Sequence, residues 1–335
     1  MHRVQIAMLS FAALAATSPV AAQTSFGRAL VVGEGEVIVG EPASGNAFRP
    51  GRVYIYRKVE GVWREAARLS APEAQRADGF GSSLALSGST LFVGERDGST
   101  IRVFNKAPNG TWRAASTIAT STSVEGALGP MVAFGDYLLL GLPGRALGGR
   151  GGGGGGRGGQ PQANLTPGAA VVLQRGADGE YMQRIRLAAS DASAGDSFGA
   201  SIAVDNDVVL IGAPGAKERA GTVYAFRLDP TTRMWQQGSV LQPREPQANE
   251  AFGSSIAMQG DAAVIGSPGA AANYGLALVF RRNKESGEWT EESRLTAFTG
   301  NRQERFGASI AAAGPDIWVS VPGRSVQSGG AQRRP

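Results

Sequence analysis

Few residues of this chain could carry out nucleophilic or redox chemistry. Its only histidine is His2, and it has no cysteine. Residues 1–22 have the composition of a secretory signal, with a mostly apolar stretch that ends in Val20-Ala21-Ala22 before the expected cleavage site. We expect the mature chain to lack histidine too, which excludes Ser-His-Asp and Cys-His catalysis, thiol redox chemistry, disulfides and the usual zinc sites.

Carboxylates remain as candidate catalytic groups or metal ligands. A pair of them can hydrolyse glycosides without histidine, so a glycan-active enzyme stays open as an alternative. The acidic residues lie mainly in predicted loops and fourth strands, and none forms a separate constellation. Asp205 and Asp207 come nearest to a metal-binding loop, although an Asx-type turn is the simpler explanation. We therefore expect no catalytic residue, no cofactor and no metal.

A recurring Phe-Gly pair indicates the elements that would position any site. With one degenerate copy included there are six copies, and three of the five intervals between them are 54 residues long. The copies are Phe26-Gly27, Phe80-Gly81, Leu128-Gly129 (degenerate), Phe198-Gly199, Phe252-Gly253 and Phe306-Gly307. A period of this length indicates one supersecondary unit repeated about six times.

Glycine and proline recur at fixed distances from the phenylalanine. A Gly stands fourteen residues after it in most copies, and a Pro often follows two residues later. These residues are Gly40, Pro42, Gly94, Gly212, Pro214, Gly266 and Pro268. We expect this Gly to permit a tight turn after the second strand of the unit and this Pro to end the pairing.

Each period contains four short strand patterns and no sustained helical periodicity. Val208 to Gly212 is typical of the second strand, and Asn109-Gly110 of the hairpin between the third and fourth. The chain is therefore predicted to be all-β: a β-propeller of about six four-stranded blades over residues 23–323. Residues 148–159 form a Gly-rich insert, predicted to be a mobile loop in blade three, and residues 324–335 a polar disordered tail.

The last blade is predicted to be incomplete, because the sixth repeat offers only two strand patterns. Its open edge could pair with a partner, a second copy or the tail, or the two strands could pack well enough alone. A seven-bladed closure is a further alternative.

The pattern of Phe-Gly, an apolar strand and then Ile211-Gly212-Ala213-Pro214 resembles the FG-GAP repeat. That repeat builds the propeller of integrin α subunits and of many bacterial exported proteins, and the resemblance extends from residue 24 to about 323. Integrin-like members often carry calcium boxes in the loop between strands one and two. The loops here lack the oxygen ligands that such a box needs.

These observations favour an exported, non-catalytic binding, adhesion or protein-interaction module, secreted or in the periplasm or cell envelope. The formal net charge of +5 is dispersed, so we expect no nucleic-acid partner, and no other stretch is apolar enough to span a membrane. A protein or glycan ligand would bind on the face made by the 2–3 and 4–1 loops. These include residues 43–49, 73–78, 216–219, 244–250 and 301–305. The alternative is a structural subunit of an envelope complex, held through the open edge of the last blade.

Overall fold

The structure is a computed structural model that describes residues 26–33, 35–42, 50–71, 79–95, 100–120, 128–144, 166–297, 304–313 and 316–322. The predicted signal (1–22), the Gly-rich insert (148–159) and the predicted tail (324–335) lie outside these ranges.

The described strands form antiparallel sheets whose strand order follows the chain. Blade one contains β1 (Ala29–Gly33), β2 (Glu36–Glu41), β3 (Arg52–Val59) and β4 (Val62–Leu69). Blade two contains β5 (Ser83–Ser87), β6 (Thr90–Gly94), β7 (Thr100–Lys106) and β8 (Trp112–Ala119). Blade three contains β9 (Met131–Phe134), β10 (Tyr137–Leu142), β11 (Ala169–Arg175) and β12 (Tyr181–Leu187).

Two further complete blades and one smaller sheet follow. Blade four contains β13 (Ser201–Asp205), β14 (Val208–Ala213), β15 (Thr222–Leu228) and β16 (Trp235–Leu241). Blade five contains β17 (Ser255–Gln259), β18 (Ala262–Ser267), β19 (Leu276–Arg282) and β20 (Trp289–Leu295). The terminal sheet has two strands, β21 (Ile310–Ala313) and β22 (Asp316–Val319). The predicted all-β propeller is confirmed, with five four-stranded blades among the described residues.

Consecutive sheets meet through their first strands, which places those strands nearest the propeller axis. The apolar core lies between blades, because each sheet buries both faces only when a neighbour covers them. Between blades one and two, for example, Ile38 and Ile55 pack against Phe80, Leu84 and Phe104. The predicted hairpin between strands three and four is also found: Gly110 in that turn has a φ of 81°.

The repeated glycine lies within strand two, near its end, and has a different role from the one expected. It has ordinary φ values, so no turn requires it at Gly40, Gly212 or Gly266. Instead, a Cβ on Gly40 would lie 2.1 Å from the carbonyl oxygen of Gly81 in the next blade. Gly212 and Gly266 meet the oxygens of Gly253 and Gly307 in the same way, at 2.1 and 1.9 Å. Glycine is present because adjacent blades approach backbone to backbone.

The repeated phenylalanine is buried wherever a preceding blade covers it. Phe80, Phe198, Phe252 and Phe306 have no exposed surface, whereas Phe26 is 46% exposed. The difference follows from position, since Phe26 belongs to the first blade of the chain. Phe26 therefore shows that one side of blade one is open in the described structure.

Candidate functional site

The 2–3 and 4–1 connections meet at one end of the propeller. The 2–3 connections of blades four and five, and the 4–1 connection between these blades, are fully described. The 2–3 connections there contain two short helical segments, α1 (Ala216–Arg219) and α2 (Ala270–Asn273). Both are left-handed turns, with positive φ at three consecutive residues. These residues are Lys217, Glu218 and Arg219 in α1 and Ala271, Ala272 and Asn273 in α2, with φ between 50° and 71°.

The left-handed turns are held by the blade that follows. Carbonyl oxygens of Glu218 and Arg219 accept hydrogen bonds from the backbone amides of Asn249 (3.2 Å) and Ala251 (2.8 Å). The Asn273 oxygen likewise accepts a bond from the Arg305 amide at 3.1 Å. Left-handed backbone costs roughly 1–2 kcal/mol per non-glycine residue, so these inter-blade bonds are needed to keep the turns in place. The turns are therefore fixed parts of the face.

A groove with a volume of about 490 Å³ lies between α2 and the connection that precedes blade five. It is lined by Gln247, Ala248, Asn249, Glu250, Gly269, Ala271, Ala272, Asn273 and Leu276. The floor is tight: a Cβ on Gly269 would lie 2.0 Å from the Asn249 oxygen. Two walls of the groove are thus brought into backbone contact by a residue that must be glycine.

Three side-chain amides border this groove. Those of Gln247, Asn249 and Asn273 form no hydrogen bond with any residue that the structure describes. Glu250 adds a carboxylate, which accepts a hydrogen bond from the Gln247 backbone amide at 3.3 Å. Amides both donate and accept, so this rim can bind hydroxyl groups or peptide groups.

The corresponding region of blade four carries charged side chains and an internal side-chain hydrogen bond. Lys217, Glu218 and Arg219 are exposed in α1. In the same blade, the hydroxyl of the buried Tyr224 donates a hydrogen bond to Asp191 at 2.6 Å. Burial, with that carboxylate next in importance, raises the pKa of Tyr224 far above its ordinary value of 10. Tyr224 therefore stays neutral and serves as a structural hydrogen-bond donor.

Asp205 and Asp207 lie at the opposite end, in the hairpin between β13 and β14, and each has protein partners. Asp205 accepts hydrogen bonds from the Gly260 amide of blade five and from Asn206. Asp207 pairs with Arg227 at 2.5 Å. Burial raises the pKa of Asp207, but the Arg227 hydrogen bond and charge outweigh it and the pKa falls below its usual value of 3.8. Over the described ranges, no group of three acidic or histidine side chains is placed to hold a metal ion.

The structure brings together only some of the loops predicted to bind a ligand. Residues 244–250 form one wall of the groove, and 216–219 form the neighbouring turn. Residues 43–49, 73–78 and 301–303 lie outside the described residues. The segment 270–273 was not among the predicted loops, although its Pro268-Gly269 and Gly275 repeat the spacing of Pro214-Gly215 and Gly221.

The model of the FG-GAP repeat family matches this chain at residues 63–107, 181–226 and 235–280. The chain carries FG-GAP repeats. Each match runs from the fourth strand of one blade through the third strand of the next, so the FG-GAP unit is offset by one strand from the sheet. No curated protein sequence matches the chain.

Solved structures share the fold at low sequence identity. A protein from Lactobacillus plantarum is 11% identical, with a TM-score of 0.53 over 80% of this chain and 70% of that one. Sqt1 of Saccharomyces cerevisiae is 11% identical, with a TM-score of 0.50 over 89% and 80%. The periplasmic gluconolactonase PpgL of Pseudomonas aeruginosa is 14% identical, with a TM-score of 0.46 over 80% and 85%. These similarities concern the fold alone. No helix among the described residues is long and apolar enough to cross a membrane.

Proposed function

We propose that this FG-GAP protein is an exported, non-catalytic binding module whose ligand docks on the 2–3/4–1 face of the propeller. The groove beside α2 carries the proposal, because its rim holds three side-chain amides without partners among the described residues. The left-handed turns support it, since strained but well-fixed backbone is frequent at binding sites. Connections on a rigid scaffold are also the usual place for recognition.

The ligand class is a protein or a glycan. Amide groups, one carboxylate and a floor of Gly and Ala suit a polar ligand that offers hydroxyl or peptide groups. A nucleic acid does not fit this rim, because the residues that line it include no Lys or Arg. Export rests on the signal-like composition of residues 1–22.

The proposal includes a six-bladed ring. In it the terminal sheet is the inner half of a sixth blade, because β21 and β22 follow Phe306-Gly307 as the first two strands follow Phe-Gly in blade five. A second candidate function rests on the same sheet. Within the described residues β22 pairs with β21 alone, so a larger envelope complex could hold the protein through that edge.

An array screen tests the binding function. Purified residues 23–335 are applied to arrays of glycans and of extracellular-matrix and cell-surface proteins, beside the double variant Asn249→Gly/Asn273→Gly, which removes both amides and keeps the positive φ of these residues. We expect wild-type binding that this variant loses at least about tenfold, as removal of two polar contacts of ordinary strength would do. The control is Gln236→Ala/Thr290→Ala, on exposed outer strands. Equal binding by all three proteins would contradict the proposed site. Purification of the native protein only within a large complex would favour the structural-subunit candidate instead.

A further inference from the structure

The connection that precedes blade five is bonded on both of its sides. On one side, the Asn249 amide donates a hydrogen bond to the Glu218 oxygen of α1 at 3.2 Å. On the other side, the Gly269 amide at the start of α2 donates a hydrogen bond to the Glu250 oxygen at 3.0 Å. The turn α1 and the groove beside α2 therefore border each other along this connection, so one ligand can contact both.

The turns α1 and α2 share one backbone framework. A Cβ on Gly215 would lie 2.0 Å from the Gly195 oxygen, and a Cβ on Gly269 would lie 2.0 Å from the Asn249 oxygen. The exposed residues that follow are Lys-Glu-Arg in α1 and Ala-Ala-Asn in α2. Because α2 forms the same left-handed turn without any charge, the charges of α1 are not needed for the fold and are available for recognition.

Lys217 and Arg219 give α1 an excess of positive charge. Both are exposed, and neither forms an ion pair with a residue that the structure describes. Glu218 stands between them as the one acid of the turn. This turn therefore favours a ligand that carries a carboxylate, because Lys and above all Arg form charge-assisted hydrogen bonds with that group.

The acids of the neighbouring connection lie close to a different cation. The hydrogen bond with Glu291 raises the pKa of Arg294 in blade five, despite burial, and the charges of Glu245 and Glu250 add to that effect. Arg244 of the connection also binds blade five, through the Glu291 carbonyl oxygen at 2.6 Å. Within their own turn, the cations of α1 thus keep a single counter-charge.

The groove itself suits the main chain of a peptide. Gln247, Asn249 and Asn273 line it with carboxamide groups, each of which offers the donor and acceptor that a peptide group also has. The Ala and Gly residues of the groove leave room for a backbone to approach closely. A sugar ring presents an apolar face that aromatic side chains cover well, and no aromatic residue is among the described residues that line the groove.

We propose that the ligand of this face is an extended acidic peptide segment of a partner protein, an inference that rests on the binding function proposed above. The main chain of the peptide lies in the groove, against the amides of Asn249 and Asn273. An Asp or Glu side chain of the peptide reaches past the connection and pairs with Lys217 and Arg219 of α1. The groove thus recognises peptide backbone, and the charged turn selects the sequence.

A peptide selection tests the ligand class. A phage library of random twelve-residue peptides is selected on immobilised residues 23–335, in parallel with the glycan array. We expect the enriched peptides to share an Asp or Glu at one position. Enriched peptides without a shared acid would overturn the inference. Glycan binding that Asn249→Gly/Asn273→Gly loses would also overturn it while supporting the proposed binding face, and no binding to either collection would refute both.

A charge variant then locates the carboxylate of the most enriched peptide, which is synthesised with a fluorophore and titrated by anisotropy. Lys217→Ala/Arg219→Asn gives α1 the residues that α2 has at these positions, so the left-handed turn is retained. We expect this variant to bind the peptide at least about fivefold more weakly at low salt, and the difference to shrink at high salt. The control Arg184→Ala/Arg186→Asn removes two exposed cations from β12 and should bind as the wild type does. Equal loss in both variants, or loss in neither, would overturn the pairing with α1.

Discussion

The indole Nε1 of Trp112 in blade two donates a hydrogen bond to the carboxylate of Glu36 in blade one, at 3.3 Å. The same carboxylate pairs with Arg57 at 2.5 Å and with Lys106 at 3.1 Å. The Glu36 side chain is 4% exposed, whereas those of Arg57 and Lys106 are 36% and 28% exposed, so a buried carboxylate joins the two blades through partly solvated cations. Packing of blade on blade here depends on charge as well as on apolar contact.

Replacement of Glu36 by alanine should destabilise the protein by about 2–3 kcal/mol, because it leaves two cations and an indole N–H with poor partners. The measurement is the free energy of unfolding from denaturant titration. The control is Glu65→Ala, since Glu65 pairs with Arg68 on the surface and such pairs contribute about 0–1 kcal/mol. Similar losses in the two variants would contradict the assigned role of Glu36.

The acid side of the stability curve should depend on Glu36. Burial raises the pKa of Glu36, but Arg57 and Lys106 outweigh that effect and hold the pKa below the ordinary 4.5. Because the pKa of Glu36 is lower in the folded than in the unfolded state, the ionised carboxylate stabilises the fold above about pH 4.5. This stabilisation is lost as the pH falls below that value. In Glu36→Gln the free energy of unfolding should therefore change less between pH 5 and pH 3 than in the wild type, roughly the range where the carboxylate titrates. An unchanged acid slope would count against the prediction.

Alanine at a repeat glycine should disrupt a blade boundary. A Cβ on Gly212 would lie 2.1 Å from the Gly253 oxygen and 2.3 Å from the Ser201 hydroxyl, so Gly212→Ala should cost about 3 kcal/mol or more. Gly238→Ala is a matched control in β16, where the nearest atom would be 3.9 Å away and stability should hold or rise. The measurement is the midpoint temperature of thermal unfolding of both variants. Equal midpoints would refute the close approach of the blades.

The four strands of each repeat could be predicted from the sequence, because alternation, Gly-Pro punctuation and the 54-residue period are local signals. The steric requirement for glycine at position 40 could not be predicted, because it depends on the carbonyl of Gly81 in another blade. The exposure of Phe26 could not be predicted for a similar reason. Phe26 and Phe80 are both followed by Gly and by a Leu four residues on, and the preceding blade that covers Phe80 leaves no signal in this local pattern.

The sequence predicted one of the two walls of the groove. Its wall at 244–250 was expected from the polar connection, whereas α2 was not. Lys217, Glu218, Ala271 and Ala272 have no intrinsic preference for left-handed backbone. Hydrogen bonds from the next blade impose that conformation, and such bonds leave no signal in the local sequence.

Glycine in the left-handed turn should be stabilising. Ala272 has a φ of 58°, so Ala272→Gly relieves about 1–2 kcal/mol of strain and loses about 0.5–1 kcal/mol through the more flexible unfolded chain. The net gain should be about 0.5 kcal/mol in the free energy of unfolding. Ala115→Gly, at an exposed position of β8, has no strain to relieve and should be destabilising. A loss of stability in Ala272→Gly would contradict the left-handed turn.

Binding through one face of the propeller is the central claim, and affinity measurements on opposite faces test it most directly. The ligand found by array is titrated calorimetrically against wild type, against Asn249→Gly/Asn273→Gly in the groove, and against Asp205→Ala/Lys284→Ala at the other end. We predict at least about tenfold weaker binding in the groove variant and no change in the other. Weakened binding only in the variant at the opposite end, or in neither, would contradict the account.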